Sequence, residues 1–242
     1  MAKIVTGADP VIRMREVEKY YGGLRPLRIR SLDVPLHRAT LLLGFDRPAA
    51  ETFINLVTGA TLPEAGDVVS LGRPTRDIAD STEWLAFVER IGIVSDRVVL
   101  LESMTVAQNL AISFDLELDP VPPQILSQVT ALAAKVGVDV PMLDTRVGES
   151  SPLLQARVRL ARALALDPEV LLLEHPTATL SPEDARTYAA IIKGVAATRK
   201  LTILGLTADK KFAEHTNGRL LVWQPATGEL RERSGRTFWP FS

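Results

Sequence analysis

Short apolar runs separated by polar or turn-forming residues characterise the first part of the chain. Two of these runs cover residues 27–36 and 39–43. Short apolar runs bounded by turn residues are typical of β-strands. The spacing then changes, because apolar residues recur at helical intervals over residues 48–57. The pattern predicts strands up to residue 43 and a helix directly after them.

Strands and helices continue to alternate along the remainder of the chain. Further strands are predicted at residues 67–70, 91–94, 170–173, 201–206 and 220–223. Further helices are predicted at residues 84–90, 152–166 and 182–198, and residues 105–138 have a largely helical pattern interrupted by prolines. Alternation of this kind is typical of an α/β fold, in which a mostly parallel sheet is covered on both faces.

The composition excludes several kinds of chemistry. The 242 residues contain no cysteine and only three histidines, so disulfide scaffolds, thiolate zinc sites and cysteine nucleophiles are excluded. Because 28 basic residues face 29 acidic ones, we do not expect nucleic acid as a partner. The longest apolar runs are far shorter than the roughly 18 residues needed to cross a bilayer. We therefore expect a soluble cytoplasmic protein, with any membrane contact made through a partner.

Five sequence blocks, in order, resemble the ATP-binding subunits of ABC transporters. Residues 155–182 read QARVRLARALALDPEVLLLEHPTATLSP, which is similar to the stretch from the signature helix through the Walker B strand to the D-loop. Upstream, LLLG at residues 41–44 and NLVTG at residues 55–59 resemble the P-loop strand and the helix after it. Residues 91–94 and 100–109 are similar to the surroundings of the Q-loop. The resemblance extends over roughly residues 11–224.

The resemblance implies a P-loop NTPase-like (RecA-like) fold with a mostly parallel sheet, an N-terminal antiparallel β subdomain and a helical ABC-type subdomain. The expected organisation is one domain over residues 1–242, whose core comprises about 11–100 and 165–224, with a helical subdomain at about 101–164 and a tail at 225–242. The implied partners are a membrane permease subunit, docked through residues 96–112 and the helical insertion, and a second ABC ATPase-type subunit in a homodimer or heterodimer. The implied location is the cytoplasm, peripheral on the inner face of the cell membrane.

The P-loop window departs from the pattern of this family. The pattern G-x-x-x-x-G-K-[S/T] binds phosphates through backbone N–H groups and a lysine, while the hydroxyl binds Mg²⁺. Here the window reads GFDRPAAE from Gly44, with Ala49 in place of the second glycine, Ala50 in place of the lysine and Glu51 in place of the hydroxyl. No lysine occurs between residues 19 and 135, so a shifted alignment cannot supply one.

The same window contains groups that oppose phosphate binding. Pro48 has no N–H to donate. Asp46 and Glu51 place carboxylates where phosphates would lie, near the start of a helix. We interpret both carboxylates as caps of this helix in place of a nucleotide, and Arg47 as a substitute cation that could still reach a phosphate.

The other functional positions implied by the resemblance are also replaced. Asp96 lies at the position of the Q-loop glutamine of the family. Residues 150–154 lie at the position of the signature motif and retain only its serine, Ser151. Because Pro152 follows it, Ser151 is better explained as a helix N-cap. Glu174 replaces the metal-orienting aspartate, and His175 replaces the glutamate that polarises water, so we expect His175 to be a satisfied structural histidine. The switch histidine is replaced by Ala208 and the D-loop aspartate by Ser181.

Four residues remain candidates for residual nucleotide binding: Tyr21, Gly44, Arg47 and Thr52. In the family an aromatic residue at the position of Tyr21 stacks on adenine, but a tyrosine at a strand end is equally a packing residue. Thr52 matches the second P-loop hydroxyl, although a threonine early in a helix needs no functional explanation. We expect no catalytic residue, no metal ligand and no resident cofactor, with ATP and Mg²⁺ left open.

Three functions are compatible with the sequence. The first is a degenerate, non-hydrolysing subunit that docks a permease. The second is an ATPase with a rebuilt site, in which Arg47, Glu51, Glu174 and His175 hold Mg-ATP. The third is a soluble adaptor without a permease. The last residues, 231–242, combine three arginines with Phe238, Trp239 and Phe241 and are either a tail folded on the core or an arm that grips a partner.

Overall fold

The computed structural model describes residues 9–23 and 25–232. Within them lie the strands β1 (Ile12–Lys19), β2 (Leu27–Val34), β3 (Ala39–Leu43), β4 (Ala65–Ser70), β5 (Arg73–Pro74), β6 (Ile91–Ser95), β7 (Val170–Glu174), β8 (Thr202–Thr207), β9 (Arg219–Gln224) and β10 (Glu229–Glu232). The helices are α1 (Arg47–Val57), α2 (Ser81–Val88), α3 (Val106–Ala111), α4 (Pro123–Lys135), α5 (Pro152–Ala163), α6 (Pro182–Arg199) and α7 (Lys210–His215). The aromatic part of the expected tail, Phe238, Trp239 and Phe241, lies outside the described residues.

Two sheets organise the fold. One has four strands in the order β2-β1-β4-β5 with antiparallel pairing. The other has six strands in the order β10-β9-β3-β8-β7-β6, and only β10 is antiparallel to its neighbour. The prediction of a mostly parallel sheet with an N-terminal antiparallel β subdomain is confirmed.

Both faces of the six-stranded sheet are buried, as the near-continuous apolar strands predicted. Successive residues of β3 point to opposite faces. Leu41 belongs to an apolar cluster with Tyr188 of α6, while Leu42 belongs to a second cluster with Phe53 of α1. The cluster on the α6 side also takes in residues of α3, α4 and α5, such as Leu110. The division of the chain into core and helical subdomains stays a prediction.

A buried amide organises the start of the helical segment. Asn109 on α3 is fully buried. Its Oδ1 accepts the N–H of Leu101 at 2.8 Å, and its Nδ2 donates to the carbonyls of Leu101 and Thr105, each at 3.0 Å. These bonds tie Leu101 and Thr105, at the two ends of the loop before α3, to one buried side chain. The loop that follows β6 is thereby fixed against α3.

Element boundaries differ from the sequence predictions at helix ends. α2 begins at Ser81, three residues before the predicted start, because the Asp80 side chain accepts the N–H of Glu83 and caps the helix. α5 ends at Ala163 instead of residue 166. Both α7 and β10 were absent from the prediction. In the described part of the chain, no helix combines the length and the apolar character needed to span a membrane.

Candidate functional site

The loops that carry the candidate nucleotide-site residues meet at the carboxyl edge of the parallel sheet. Leu43, the last residue of β3, is paired with Thr207, the last residue of β8. Ser95, the last residue of β6, is paired with Glu174, the last residue of β7. Ligands of open parallel sheets bind at this edge. The P-loop window, Asp96, His175 and Ala208 directly follow these strand ends.

The turn into α1 is held by aromatic packing. Gly44 has a φ of 94°, and a Cβ there would lie 3.3 Å from the carbonyl oxygen of Trp223. The next residue, Phe45, is buried and stacks on Trp223 with ring centroids 4.4 Å apart. Phe45 also meets Phe53 edge-on at 5.5 Å. The loop is therefore anchored by its own side chain inside the core.

Asp46 caps α1 and occupies the first backbone donors of the helix. Its Oδ1 accepts the N–H of Ala49 at 2.9 Å, and its carbonyl accepts the N–H of Ala50 at 2.9 Å. Both alanines are fully buried. The hydroxyl of Thr52 donates to the carbonyl of Pro48 at 2.8 Å, so it is also engaged within the helix. The prediction that Asp46 caps this helix is confirmed.

The expected capping role of Glu51 is wrong. α1 begins at Arg47, which places Glu51 beyond the first turn, too far along the helix to accept its initial N–H groups. Instead, Glu51 Oε1 lies 2.7 Å from Nη1 of Arg97. The side chain of Glu51 therefore belongs to an ion-pair cluster at the strand ends.

Arg97 is the centre of that cluster. Its Nε donates to both carboxylate oxygens of Glu174 at 3.1 and 3.0 Å, and its Nη2 donates to Oε2 at 2.7 Å. Glu174 is only 3% exposed. One guanidinium thus joins Glu51 on α1 to Glu174 at the end of β7, with its fixed fork of donors satisfying a buried carboxylate.

A second ion pair lies beside the first. Arg47 Nη2 is 2.7 Å from Oδ2 of Asp96, and the Arg47 side chain is 61% exposed. Arg47 and Arg97 are thus each paired with a carboxylate. The use of Arg47 to hold a phosphate stays a prediction, since this pairing competes with it.

The electrostatics agree with the contacts. Burial acts to lower the pKa of Arg97, but its hydrogen bond to Glu174 and the charges of Glu174, Glu51 and Asp96 raise that pKa above its ordinary value. Arg97 therefore carries a permanent positive charge.

The loop after Arg97 is tied to α5. Arg159 Nε donates to the Val98 carbonyl at 3.2 Å, and Arg162 Nη1 donates to the Val99 carbonyl at 2.9 Å. Burial lowers the pKa of both α5 arginines.

Tyr21 lies next to the P-loop window. It is half-buried and packs against the cluster that contains Phe45. Burial, followed by the negative charge of Asp46, raises the pKa of its hydroxyl. This position fits both the packing and the adenine-stacking interpretation, so a role for Tyr21 in binding stays a prediction.

His175 departs from the expectation of a satisfied structural histidine. Its backbone has a φ of 42°, and its N–H donates to the Leu206 carbonyl at 2.8 Å. The ring Nε2 is buried and has no hydrogen-bond partner within the described ranges. Within those ranges this buried nitrogen is unsatisfied, so that expectation is wrong.

The remaining positions are helix caps. Ser151 accepts the N–H of Leu154 at 3.2 Å, as predicted for an N-cap followed by Pro152. Ser181 accepts the N–H of Asp184 at 3.1 Å and caps α6. After Ala208, Asp209 caps α7.

Sequence reasoning missed Arg97. The residue is 77 positions from Glu174 and belongs to no motif of the resemblance. Pairing of the β6 and β7 ends, Ser95 opposite Glu174, is the signal that could have indicated it, because Arg97 follows Ser95 by two residues.

Comparison with known proteins gives one family. The model described as "ABC transporter" matches residues 51–178, a stretch that begins within α1 at the last residue of the P-loop window. The nickel import ATP-binding protein NikO of Rhodobacter capsulatus is 32% identical over 187 residues, which are 76% of this chain and 73% of that protein. The methionine import ATP-binding protein MetN of Brucella abortus is 28% identical over 213 residues, or 88% of this chain. The match spans 57% of the length of MetN.

Solved structures agree on the architecture. A dimeric bacterial ABC transporter cassette matches with a TM-score of 0.74 at 21% identity, over 94% of this chain and 100% of that one. The cbiO1 protein from Clostridium perfringens, described as part of the ABC transporter complex cbiONQ, matches with a TM-score of 0.76 at 21% identity, over 92% of this chain and 87% of that one. At this identity the likeness establishes the fold.

Proposed function

The chain belongs to the ABC transporter family, and from this premise we propose that it is an ATP-binding-type subunit whose own site does not hydrolyse ATP. In this proposal it is a structural or regulatory component of a transport complex, at the cytoplasmic face of the cell membrane. It docks a permease subunit and pairs with a second copy or with another ABC ATPase-type subunit. The import systems of its relatives make an import complex the first to test.

The observation that carries this proposal is the position of Arg97. The resemblance assigns the Mg²⁺-binding hydroxyl to the position of Glu51 and the metal-orienting carboxylate to the position of Glu174. Here the Arg97 guanidinium contacts both, at 2.7 Å in each case. A divalent cation placed between these carboxylates would meet a fixed positive charge, which repels it. In our proposal the guanidinium takes the place of the metal ion.

The phosphate side of the site supports the same conclusion. The N–H groups of Ala49 and Ala50 already donate to Asp46. No lysine side chain is present at position 50 to neutralise a phosphate, and the Asp46 carboxylate adds a negative charge at the helix start. These residues do not fit the triphosphate and magnesium ion of Mg-ATP. Charge compensation, metal binding and water activation are separate contributions to phosphoryl transfer, so losing all three removes it.

An apolar groove supports the docking part of the proposal. A groove of about 470 Å³ lies between the sheet and α5, and Trp84, Val98 and Leu166 are among its lining residues. Val99, next to it, is 71% exposed. Exposed apolar surface beside a groove is typical of a protein contact. The loop 96–101 thus connects the Arg97 cluster to the surface that we assign to the permease.

A nucleotide titration tests the non-hydrolysing role. Mg-ATP is titrated into the full chain by calorimetry, and ATP turnover is measured on the same sample. We expect no saturable binding below about 1 mM and no turnover. A ligand that does bind would raise the free energy of unfolding, by roughly 2.7 kcal/mol at 100 times its Kd. A subunit with an intact P-loop serves as the positive control. Micromolar affinity would instead support the rebuilt site with Arg47, Glu51, Glu174 and His175.

Site-specific cross-linking tests the docking surface. Because the chain has no cysteine, Val99→Cys introduces a single thiol that can carry a photoreactive group. When the labelled chain is irradiated in membranes of the source organism, we expect a covalent adduct between this chain and one integral membrane protein, the permease. Thr198→Cys, on an exposed position of α6, is the matched control and should not give it. Equal labelling from both positions, or none from Val99→Cys, would favour the soluble adaptor.

A further inference from the structure

We propose that a cavity at the amino-terminal edge of the six-stranded sheet binds a small phosphate-bearing anion. The cavity has a volume of about 430 Å³ and lies at the starts of β3, β8 and β9, beside the last turns of α6. The candidate nucleotide site is at the opposite, carboxyl edge of these strands. The inference is therefore independent of the proposed function.

The charge of the cavity wall points to an anion. His37, Arg38, Lys193 and Arg219 are among the lining residues, and no aspartate or glutamate is among the described residues that line it. A concave surface lined by positively charged groups concentrates negatively charged ligands. A volume of this size lies within the range of small-molecule sites.

Among the described residues, two of these cations have no counter-ion. Arg38 and Lys193 form neither an ion pair nor a side-chain hydrogen bond with any part of the chain that the structure describes. Residues 1–8 and 233–242 contain no aspartate or glutamate that could pair with them. Arginines elsewhere, such as Arg97 and Arg199, are paired with carboxylates. Unpaired cations beside a cavity leave a charge that a bound anion would neutralise.

His37 is held beside the cavity by two hydrogen bonds. Its backbone N–H donates to the Thr202 hydroxyl at 2.8 Å, and its Nδ1 contacts the Lys200 carbonyl. A carbonyl only accepts, so Nδ1 carries the proton in this contact, and Nε2 of the neutral ring is an acceptor for a hydroxyl of the ligand. Arg219 is partly committed, with Nε 3.5 Å from the Glu232 carboxylate.

Together these groups indicate the chemical class of the ligand. Arg38, Lys193 and the partly paired Arg219 match an anion of at least two negative charges. Guanidinium and ammonium groups donate several charge-assisted hydrogen bonds to phosphate oxygens. A free phosphate compound and a phospholipid headgroup both offer this chemistry.

Inorganic pyrophosphate is the first probe, titrated by calorimetry into the full chain in buffer with EDTA and without magnesium. We expect saturable binding that weakens at least tenfold in the double variant Arg38→Gln/Lys193→Gln. The control variant Arg25→Gln/Lys135→Gln removes two positive charges at other exposed positions and should bind as the unmodified chain does. Circular dichroism checks that all three proteins are folded.

Vesicles provide the second arm of the test. Flotation with phosphatidylglycerol vesicles, compared with phosphatidylcholine vesicles, identifies a headgroup as the source of the phosphate. Binding of either probe that is lost in the Arg38/Lys193 variant and kept in the control supports the site. Equal binding by the two double variants, or no binding of either probe by the unmodified chain, overturns it.

Discussion

Arg97 donates hydrogen bonds to both carboxylate oxygens of Glu174, at 2.7 to 3.1 Å, although the two residues are 77 positions apart. Glu174 is buried, while 41% of the Arg97 side chain is exposed. The guanidinium therefore neutralises an interior carboxylate from the solvent side. The same group reaches Glu51 on α1 and so links the two strands β6 and β7 to that helix.

Removal of Arg97 should destabilise the fold. Arg97→Ala leaves the Glu174 carboxylate buried without a partner, which costs roughly 3–5 kcal/mol for fully buried pairs. Because water reaches Arg97, we expect the free energy of unfolding to fall by about 2 kcal/mol. Urea unfolding at pH 7 measures the change.

Two variants make this test specific. Arg146→Ala removes an arginine whose ion pair with Glu149 is exposed on both sides, and it should change stability by less than about 1 kcal/mol. Arg97→Ala/Glu174→Gln removes the buried charge together with its partner and should recover part of the loss. A double variant no more stable than Arg97→Ala would contradict the role of charge.

The cap of α1 depends on one carboxylate oxygen. Asp46→Ala removes the acceptor of the Ala49 N–H and should lower the free energy of unfolding by about 1 kcal/mol. Asp46→Asn keeps an acceptor and should be near neutral. Chemical denaturation of the three proteins checks this order, and equal losses in both variants would show that negative charge, and not capping, is what matters.

Restoring the lysine alone should not restore ATP turnover. Ala50→Lys supplies the missing cation, but Arg97 still occupies the space between Glu51 and Glu174, and Asp46 still accepts the Ala49 N–H. We expect turnover indistinguishable from buffer in a phosphate-release assay. The same assay on Ala50→Arg controls for added charge. Substantial turnover by Ala50→Lys would mean that these contacts do not block the site.

Tyr188 should make stability depend on alkaline pH. Its hydroxyl, fully buried, donates to the Ala156 carbonyl at 3.0 Å, and burial raises its pKa above the ordinary value. Above about pH 10 the unfolded chain ionises this tyrosine while the folded chain does not, so stability falls as the pH rises.

The matched variant is Tyr188→Phe. It should lose about 1 kcal/mol at pH 7 with the hydrogen bond. Its stability should then fall less steeply than that of the unmodified chain between pH 9 and pH 11. Unfolding curves at these pH values measure both effects, and parallel pH profiles would refute the assignment.

Local signals in the sequence were sufficient for much of the fold. The strands of the parallel sheet and α1 followed from apolar spacing, and the caps at Asp46 and Ser151 followed from residue type. β10 was missed, although Gly228, with a φ of 72°, forms the turn that pairs Leu230 with Trp223. α7 was missed because six residues contain too few turns for a periodic pattern.

The contacts of the site were less accessible to sequence reasoning. Asp46 and Glu51 both lie near the start of α1, yet one caps the helix and the other pairs with Arg97. The pairing of β6 with β7 brings Arg97, two residues after Ser95, to Glu174, and the position of α1 at the same edge brings Glu51 to Arg97. The buried Nε2 of His175, which has no partner in the described part of the chain, likewise could not be foreseen from local sequence.

A counter-ion that is covalently attached to the chain has no dissociation rate. The charge that Arg97 supplies to Glu51 and Glu174 cannot be withdrawn by chelators or exchanged for another ion. Starvation for divalent ions, which would empty a site that depends on them, leaves this one unchanged. The loop at residues 96–101, which begins at Asp96 and ends beside α3, should consequently keep its shape when divalent ions are removed.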